Sequence, residues 1–182
     1  MILSESELMR LSYKITNPDE LSKWMSTNIQ YGFTDKHGTI YTEDTDYDDF
    51  DSKYRLQSPK QMLASKVGVC WDQVEFERHF FTRLGIPYKT FYVEQINRMS
   101  VTHTFLVYTE GRKLVWFENS FEICRGMNGP YDSINDIIDD VHRQMLKKNS
   151  DSGFSAYFME KPRYGIDCQT FMKHAISGRR IN

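Results

Sequence analysis

Cysteine is scarce in this chain: three among 182 residues, Cys70, Cys124 and Cys168, far apart and with no C-x-x-C pair. An odd, scattered set builds neither a disulfide framework nor a cysteine-based zinc site, and it fits reduced thiols in a cytoplasmic setting. Charge of one sign is lacking too. The 23 Lys and Arg nearly balance the 25 Asp and Glu for a net charge of −2, which argues against a general nucleic-acid binder. No apolar run is long enough to span a membrane, so no membrane partner is expected. The opening Met-Ile-Leu-Ser-Glu-Ser-Glu lacks the basic-then-apolar order of a secretory signal. There is no internal repeat and no Pro/Gly-rich linker, so a single domain over residues 1–182 is expected. The chain is 40% hydrophobic and 14% aromatic, which supplies a core and excludes a disordered class.

Local signals then divide the chain. Asn17-Pro18-Asp19-Glu20 has the N-cap, first-position proline and third-position acid of a helix start. The apolar spacing of Leu21, Trp24, Met25 and Ile29 continues that helix, with Gly32 as its expected end. Residues 34–54 turn polar and acidic and read as a surface loop with a short strand at Gly38–Tyr41. Ser58-Pro59-Lys60-Gln61 repeats the capping signal and opens a helix toward Gly68. A longer helix starts near Cys70 and stops at Gly85 and Pro87. Strand-like runs follow at Tyr88–Glu94, Thr102–Thr109 and Lys113–Glu118. Ser133 caps a helix with the stripe Ile134, Ile137, Ile138, Val141 and Met145. Residues 131–182 are expected to form a helical extension, with Asp167 capping a last short helix.

The stretch Gly68-Val-Cys70-Trp-Asp72 places a cysteine in the first turn of a helix. The positive end of a helix dipole favours an anion there, and unpaired N–H groups of the first turn are suited to holding an oxyanion. Asp72, in the same turn, opposes a thiolate. Thr102–Ser120 reads as a hairpin. With Glu110-Gly111 as a two-residue loop, Val107 opposes Leu114, Phe105 opposes Trp116 and His103 opposes Glu118. A three-residue loop puts Asn119 opposite His103 instead. Either side chain orients an imidazole, and the shorter loop favours Glu118.

Taken together, Gly68-Val-Cys70-Trp-Asp, Arg83-Leu-Gly-Ile-Pro87, His103 opening a strand, and Trp116-Phe-Glu-Asn-Ser120 resemble the transglutaminase-like superfamily, in its small bacterial and phage-borne form. The likeness covers roughly residues 58–120, about a third of the chain. Glu118-Asn119-Ser120 stands where the family carries Asp-Pro-Thr. The resemblance implies an α+β, papain-like fold, with a nucleophile helix packed on an antiparallel sheet. It also implies Cys70 as nucleophile, His103 as general base and acid, and Glu118 (alternatively Asn119) as the orienting residue. The implied reaction is acyl transfer through a thioester, on a peptide or protein carrying an amide in a Gln or Asn side chain or a peptide bond. Hydrolysis is favoured over cross-linking, and no cofactor or metal is implied. A catalytically silent binding module, and a phage or mobile-element factor modifying a host protein, are the alternatives.

Trp71 and Trp116 are candidate walls of a substrate groove, Trp71 equally an anchor for its helix. Gln61 and Trp24 are candidates, by residue type, for the second oxyanion donor. The acids of residues 44–51 fail the EF-hand template, because its sixth and twelfth positions are Asp49 and Arg55. His79, His142 and His174 are expected on helix surfaces, His37 in a turn, and Cys124 and Cys168 in structural positions. The loops at 34–54 and 95–101 carry no readable specificity.

Overall fold

The computed structural model describes residues 5–42, 49–95, 101–146 and 153–181. The architecture is α+β. Helices α1 (Glu5–Lys14), α2 (Pro18–Asn28), α3 (Phe50–Lys53), α4 (Pro59–Ser65) and α5 (Cys70–Leu84) precede the main sheet. Its strands are β3 (Tyr88–Gln95), β4 (Thr102–Glu110), β5 (Lys113–Glu118), β6 (Gly126–Tyr131) and β7 (Phe154–Phe158). A separate two-stranded ribbon pairs β1 (Gly32–Thr34) with β2 (Ile40–Thr42). Helices α6 (Ile134–Leu146) and α7 (Cys168–Ile176) complete the chain. The main sheet is antiparallel throughout, in the order β6-β5-β4-β3-β7.

The sheet is buried on both faces. Tyr92, Leu106, Tyr108 and Phe117 pack with Val74, Phe76, Phe80 and Phe81 of α5. On the opposite face Phe91, Val93, Phe105, Val107 and Trp116 pack with Ile137, Ile138 and Val141, the stripe expected on α6. Strand alternation sends successive residues of β4 into different cores, so its centre reads as an unbroken apolar run.

The capping signals operate as expected. Asn17 accepts the Glu20 N–H, and Ser58 and Gln61 form a reciprocal capping box at the start of α4. Gly85 ends α5 in the left-handed conformation at φ +68°. Other boundaries differ. Helix α2 ends at Asn28, and Gly32 opens β1 instead, where a Cβ would lie 2.5 Å from the Tyr41 carbonyl oxygen. Helix α4 stops at Ser65, with Lys66 as a left-handed cap, short of Gly68.

The expected helical extension is interrupted by a strand. Residues Phe154–Phe158 form β7 at the edge of the main sheet beside β3, so this segment helps build the sheet. Strand β6, Gly-Met-Asn-Gly-Pro-Tyr, escapes a composition reading because glycine and proline weaken strands, yet an edge tolerates both. The acids at 43–48 and the loop at 96–100 lie outside the described residues. Among the described residues no helix is long and apolar enough to cross a membrane.

Candidate functional site

Cys70 occupies the first turn of α5, where Val69 is the N-cap. Valine has no side-chain acceptor, so only half of a capping box forms: the Val69 N–H donates to Asp72 Oδ2 at 3.1 Å. The N–H groups of Asp72 and Gln73 both donate to the Val69 carbonyl at 3.0 Å. The N–H groups of Cys70 and Trp71 have no backbone partner among the described residues, as expected for the start of a helix. Gly68 supplies the close approach ahead of the cysteine. A Cβ there would lie 3.0 Å from both Asp72 Cβ and Met62 Sδ.

Asp72 is committed to structure. Its Oδ1 also accepts from the Tyr54 hydroxyl at 3.0 Å and the Gln57 N–H at 2.8 Å. Burial pushes its carboxyl up to about 7, against the pull of these donors. This lessens the charge that the sequence set against a thiolate at Cys70.

His103 and Glu118 meet, although the hairpin register differs from the expected one. The ladder pairs Glu110 with Lys113 and Val107 with Trp116, leaving Gly111 and Arg112 as the loop. The positive φ falls on Gly111 alone, now the first loop residue rather than the second. Moving the turn by one residue moves the pairing by two. Side-chain faces are therefore kept, and Glu118 reaches His103 diagonally instead of directly across. His103 Nε2 donates to Glu118 Oε2 at 2.6 Å in a buried pair. The same carboxylate accepts from Trp116 Nε1 at 3.2 Å, the Ser120 hydroxyl at 2.9 Å and the Phe121 N–H at 2.8 Å. Four donors fill its two oxygens and fix its plane.

Burial by itself would depress the His103 pKa. The Glu118 charge and hydrogen bond, together with the neighbouring Cys70 thiol, outweigh burial and raise it to about 10. Cys70 is thus close enough to influence the imidazole, although no well-directed hydrogen bond joins sulfur and ring among the described residues. Such contacts are often loose in free enzymes.

The meeting of α5 with this pair requires an opening in the sheet. Beyond Leu106 and Phe117 the β4–β5 ladder ends, while β4 stays paired with β3 as far as Thr102 and β5 with β6 as far as Glu118. Gln73, one turn into α5, reaches this end of the sheet through Asn119. Asn119, the alternative orienting residue, turns away from His103 and donates from Nδ2 to Gln73 Oε1 at 2.6 Å.

Two expected groove residues are core residues. Trp71 is 3% exposed and stacks on Phe171 at 4.2 Å; Trp116 is fully buried and braces Glu118. Both side chains are turned into the core. Gln61 Oε1 accepts from the Ser58 N–H and hydroxyl in the capping box, and Trp24 stacks on Phe76 with the Lys66 ammonium over its ring. His79 is half-buried beneath α1 with Nε2 3.1 Å from the Ser12 hydroxyl, not on a helix surface. His142 stacks on Phe154 at 4.3 Å, and His174 meets the Glu160 carbonyl. Cys124 and Cys168 are buried, Cys168 donating to Asp51.

One acid escaped the sequence reading. Glu77, two turns after Cys70, is buried; burial first, and then the Glu118 charge, push its carboxyl well above the usual range. The spacing of seven from Cys70 was a usable signal, since it sets both residues on one helix face. A cavity of about 540 Å³ reaches His103 and Ser120 between Ile29, Phe121, Ile123 and Met145.

No protein-family model and no curated protein matches the chain. Among solved structures, a "putative cysteine protease" from Cytophaga hutchinsonii aligns over 88% of this chain at 11% identity and a TM-score of 0.42. The alignment spans 54% of that protein, about half its length. At this level of likeness nothing is carried over from it.

Proposed function

We propose that the chain is a cysteine-dependent acyl-transfer enzyme acting on amides, a small member of the transglutaminase-like superfamily. The observation that supports this best is the buried His103–Glu118 pair, 2.6 Å apart, beside a cysteine in the first turn of α5. The substrate is a peptide or protein bearing the amide.

With Nε2 held by Glu118, the ring's other nitrogen, Nδ1, is the one left for the sulfur. Cys70 Sγ, its proton passed to His103, attacks the amide carbon and forms a C–S bond. The carbonyl oxygen becomes an oxyanion, which the Cys70 and Trp71 N–H groups are suited to hold. The C–N bond then breaks, and the leaving amine departs with the His103 proton. Water enters next: His103 takes its proton, a C–O bond forms and the C–S bond breaks, returning the thiol. Glu118 stabilises the imidazolium in both halves. An amine in place of water gives transamidation by the same steps.

The test is iodoacetamide labelling near neutral pH with mass mapping, followed by peptide-library cleavage. Stoichiometric labelling at Cys70, and turnover lost in Cys70→Ala, support the reading. A Cys70 that reacts no faster than a free thiol, together with activity that survives Cys70→Ala, removes it. A binding module without turnover is favoured by one observation, the 5% exposure of Cys70. In that reading a peptide is retained uncleaved, and Cys70→Ala binds it equally well.

A further inference from the structure

Past Leu106 and Phe117 no ladder hydrogen bond ties β4 to β5. Beyond that point the β4–β5 ladder does not by itself set the distance between the start of α5 and the acid-bearing end of β5. One pair of carboxamides spans this gap. Gln73 lies one turn after Cys70 on α5, and Asn119 immediately follows Glu118. Asn119 Nδ2 donates to Gln73 Oε1 at 2.6 Å. Gln73 Nε2 donates in turn to the Gly68 carbonyl at 2.7 Å, in the turn that presents the cysteine. The Asn119 carbonyl accepts from Arg125 Nε at 2.9 Å beyond the strand.

These links run in series from the turn ahead of the sulfur to the residue beside the acid. Their polarity is fixed. Gln73 turns Nε2 to the Gly68 carbonyl and Oε1 to Asn119, so in this link the donor comes from the strand. Gln73 is 2% exposed and Asn119 1%, so water does not readily replace either partner. Asn119 Oδ1 is buried and has no hydrogen-bond partner among the described residues. A stranded acceptor is costly, and a residue chosen for core packing alone would have been apolar.

We propose that Gln73 and Asn119 form a positioning pair that holds the Cys70 turn at working distance from the His103–Glu118 pair. This inference rests on the acyl-transfer reading of the site. Asn119 thereby acts through α5 and not on the imidazole.

The experiment uses the full chain with iodoacetamide as probe. Alkylation of Cys70 is followed by intact mass from pH 6 to pH 10, and His103 is titrated by NMR. Wild type is compared with Gln73→Met, Asn119→Leu and the double variant. Each single variant is expected to slow alkylation at pH 7 by about tenfold or more, since small misplacements cost that much. Each also lowers the His103 titration midpoint as the thiol moves off the ring. The double variant is no slower than the slower single, because both act through one link. Gln73→Glu keeps the acceptor for Asn119 but gives up the donor to Gly68. It is expected to fall between wild type and Gln73→Met, and it serves if the apolar variants do not fold.

Folded variants within twofold of wild type, with an unmoved His103 titration, overturn the proposal, as do single effects that multiply. A wild-type Cys70 no faster than a free thiol, together with activity that survives Cys70→Ala, removes the underlying acyl-transfer reading as well. A fast wild-type thiol that ignores all these substitutions removes the positioning pair alone.

Discussion

Glu118→Gln puts the electrostatics of the site to a direct test. The Glu118 carboxylate accepts four hydrogen bonds, two at each oxygen: His103 and Trp116 at one, Ser120 and Phe121 at the other. An amide of the same shape keeps one acceptor oxygen and turns an NH₂ toward two donors. It also removes the charge that outweighs burial at His103. Breaking a buried pair by neutralising one partner costs roughly 3–5 kcal/mol. An independent route gives a similar size. If the His103 pKa falls from about 10 to its ordinary 6.5 or below, the change is on the order of 5 kcal/mol at 1.36 kcal/mol per unit.

The two figures agree, and the sign follows from linkage. His103 has a folded-state pKa raised above its unfolded value of 6.5. Its contribution to stability is therefore complete below about pH 6.5 and is lost as pH rises through about 10. The stability gap between wild type and Glu118→Gln should be widest near pH 6 and narrow steadily toward pH 10. Urea unfolding at several pH values gives the gap, and NMR of the His103 ring gives the titration. A wild-type His103 that titrates near 6.5, or a gap that does not depend on pH, would refute the reasoning.

Further expectations follow from the same geometry. Gly68→Ala introduces a Cβ 3.0 Å from Asp72 Cβ and Met62 Sδ, so these side chains in and beside the first turn of α5 must give by a few tenths of an ångström. Iodoacetamide labelling of Cys70 should slow by more than twofold while circular dichroism stays native. Trp116→Phe removes one of the four donors to Glu118 and should cost about 1.5–3 kcal/mol in urea unfolding, as expected for a hydrogen bond to a charged group. Phe81, fully buried between α5 and the sheet, should cost about 3–5 kcal/mol as Phe81→Ala, measured the same way. If His103 supplies the leaving-group proton, kcat/KM on any cleaved peptide should hold through neutral pH and fall as pH approaches about 10, where the imidazolium is lost.

Wherever one segment carries its own instructions, the residues sufficed. Ser58 with Gln61, Asn17 with Pro18 and Glu20, and Gly85 before Pro87 are local hydrogen-bonding and backbone preferences, and each stands at a boundary of α2, α4 or α5. The alternation of β4 and β5 assigned faces correctly, which is why His103 and Glu118 meet despite a register displaced by two. Gly111 satisfies either loop position, so the turn is not legible locally and only the paired strands select one.

Tertiary structure decided the remainder. Phe154–Phe158 is a strand because β3 offers it an unpaired edge, which nothing within five residues records. Trp71 and Trp116 are core residues because α7 and the sheet close over them. Asn119 faces Gln73 instead of His103 because the sheet opens there, a property of three strands together. Sequence by itself fixes periodicity, caps and residue chemistry, since these act within a few residues. Which distant groups share a hydrogen bond is settled by packing among segments far apart in the chain, as with Gln73 and Asn119, 46 residues apart.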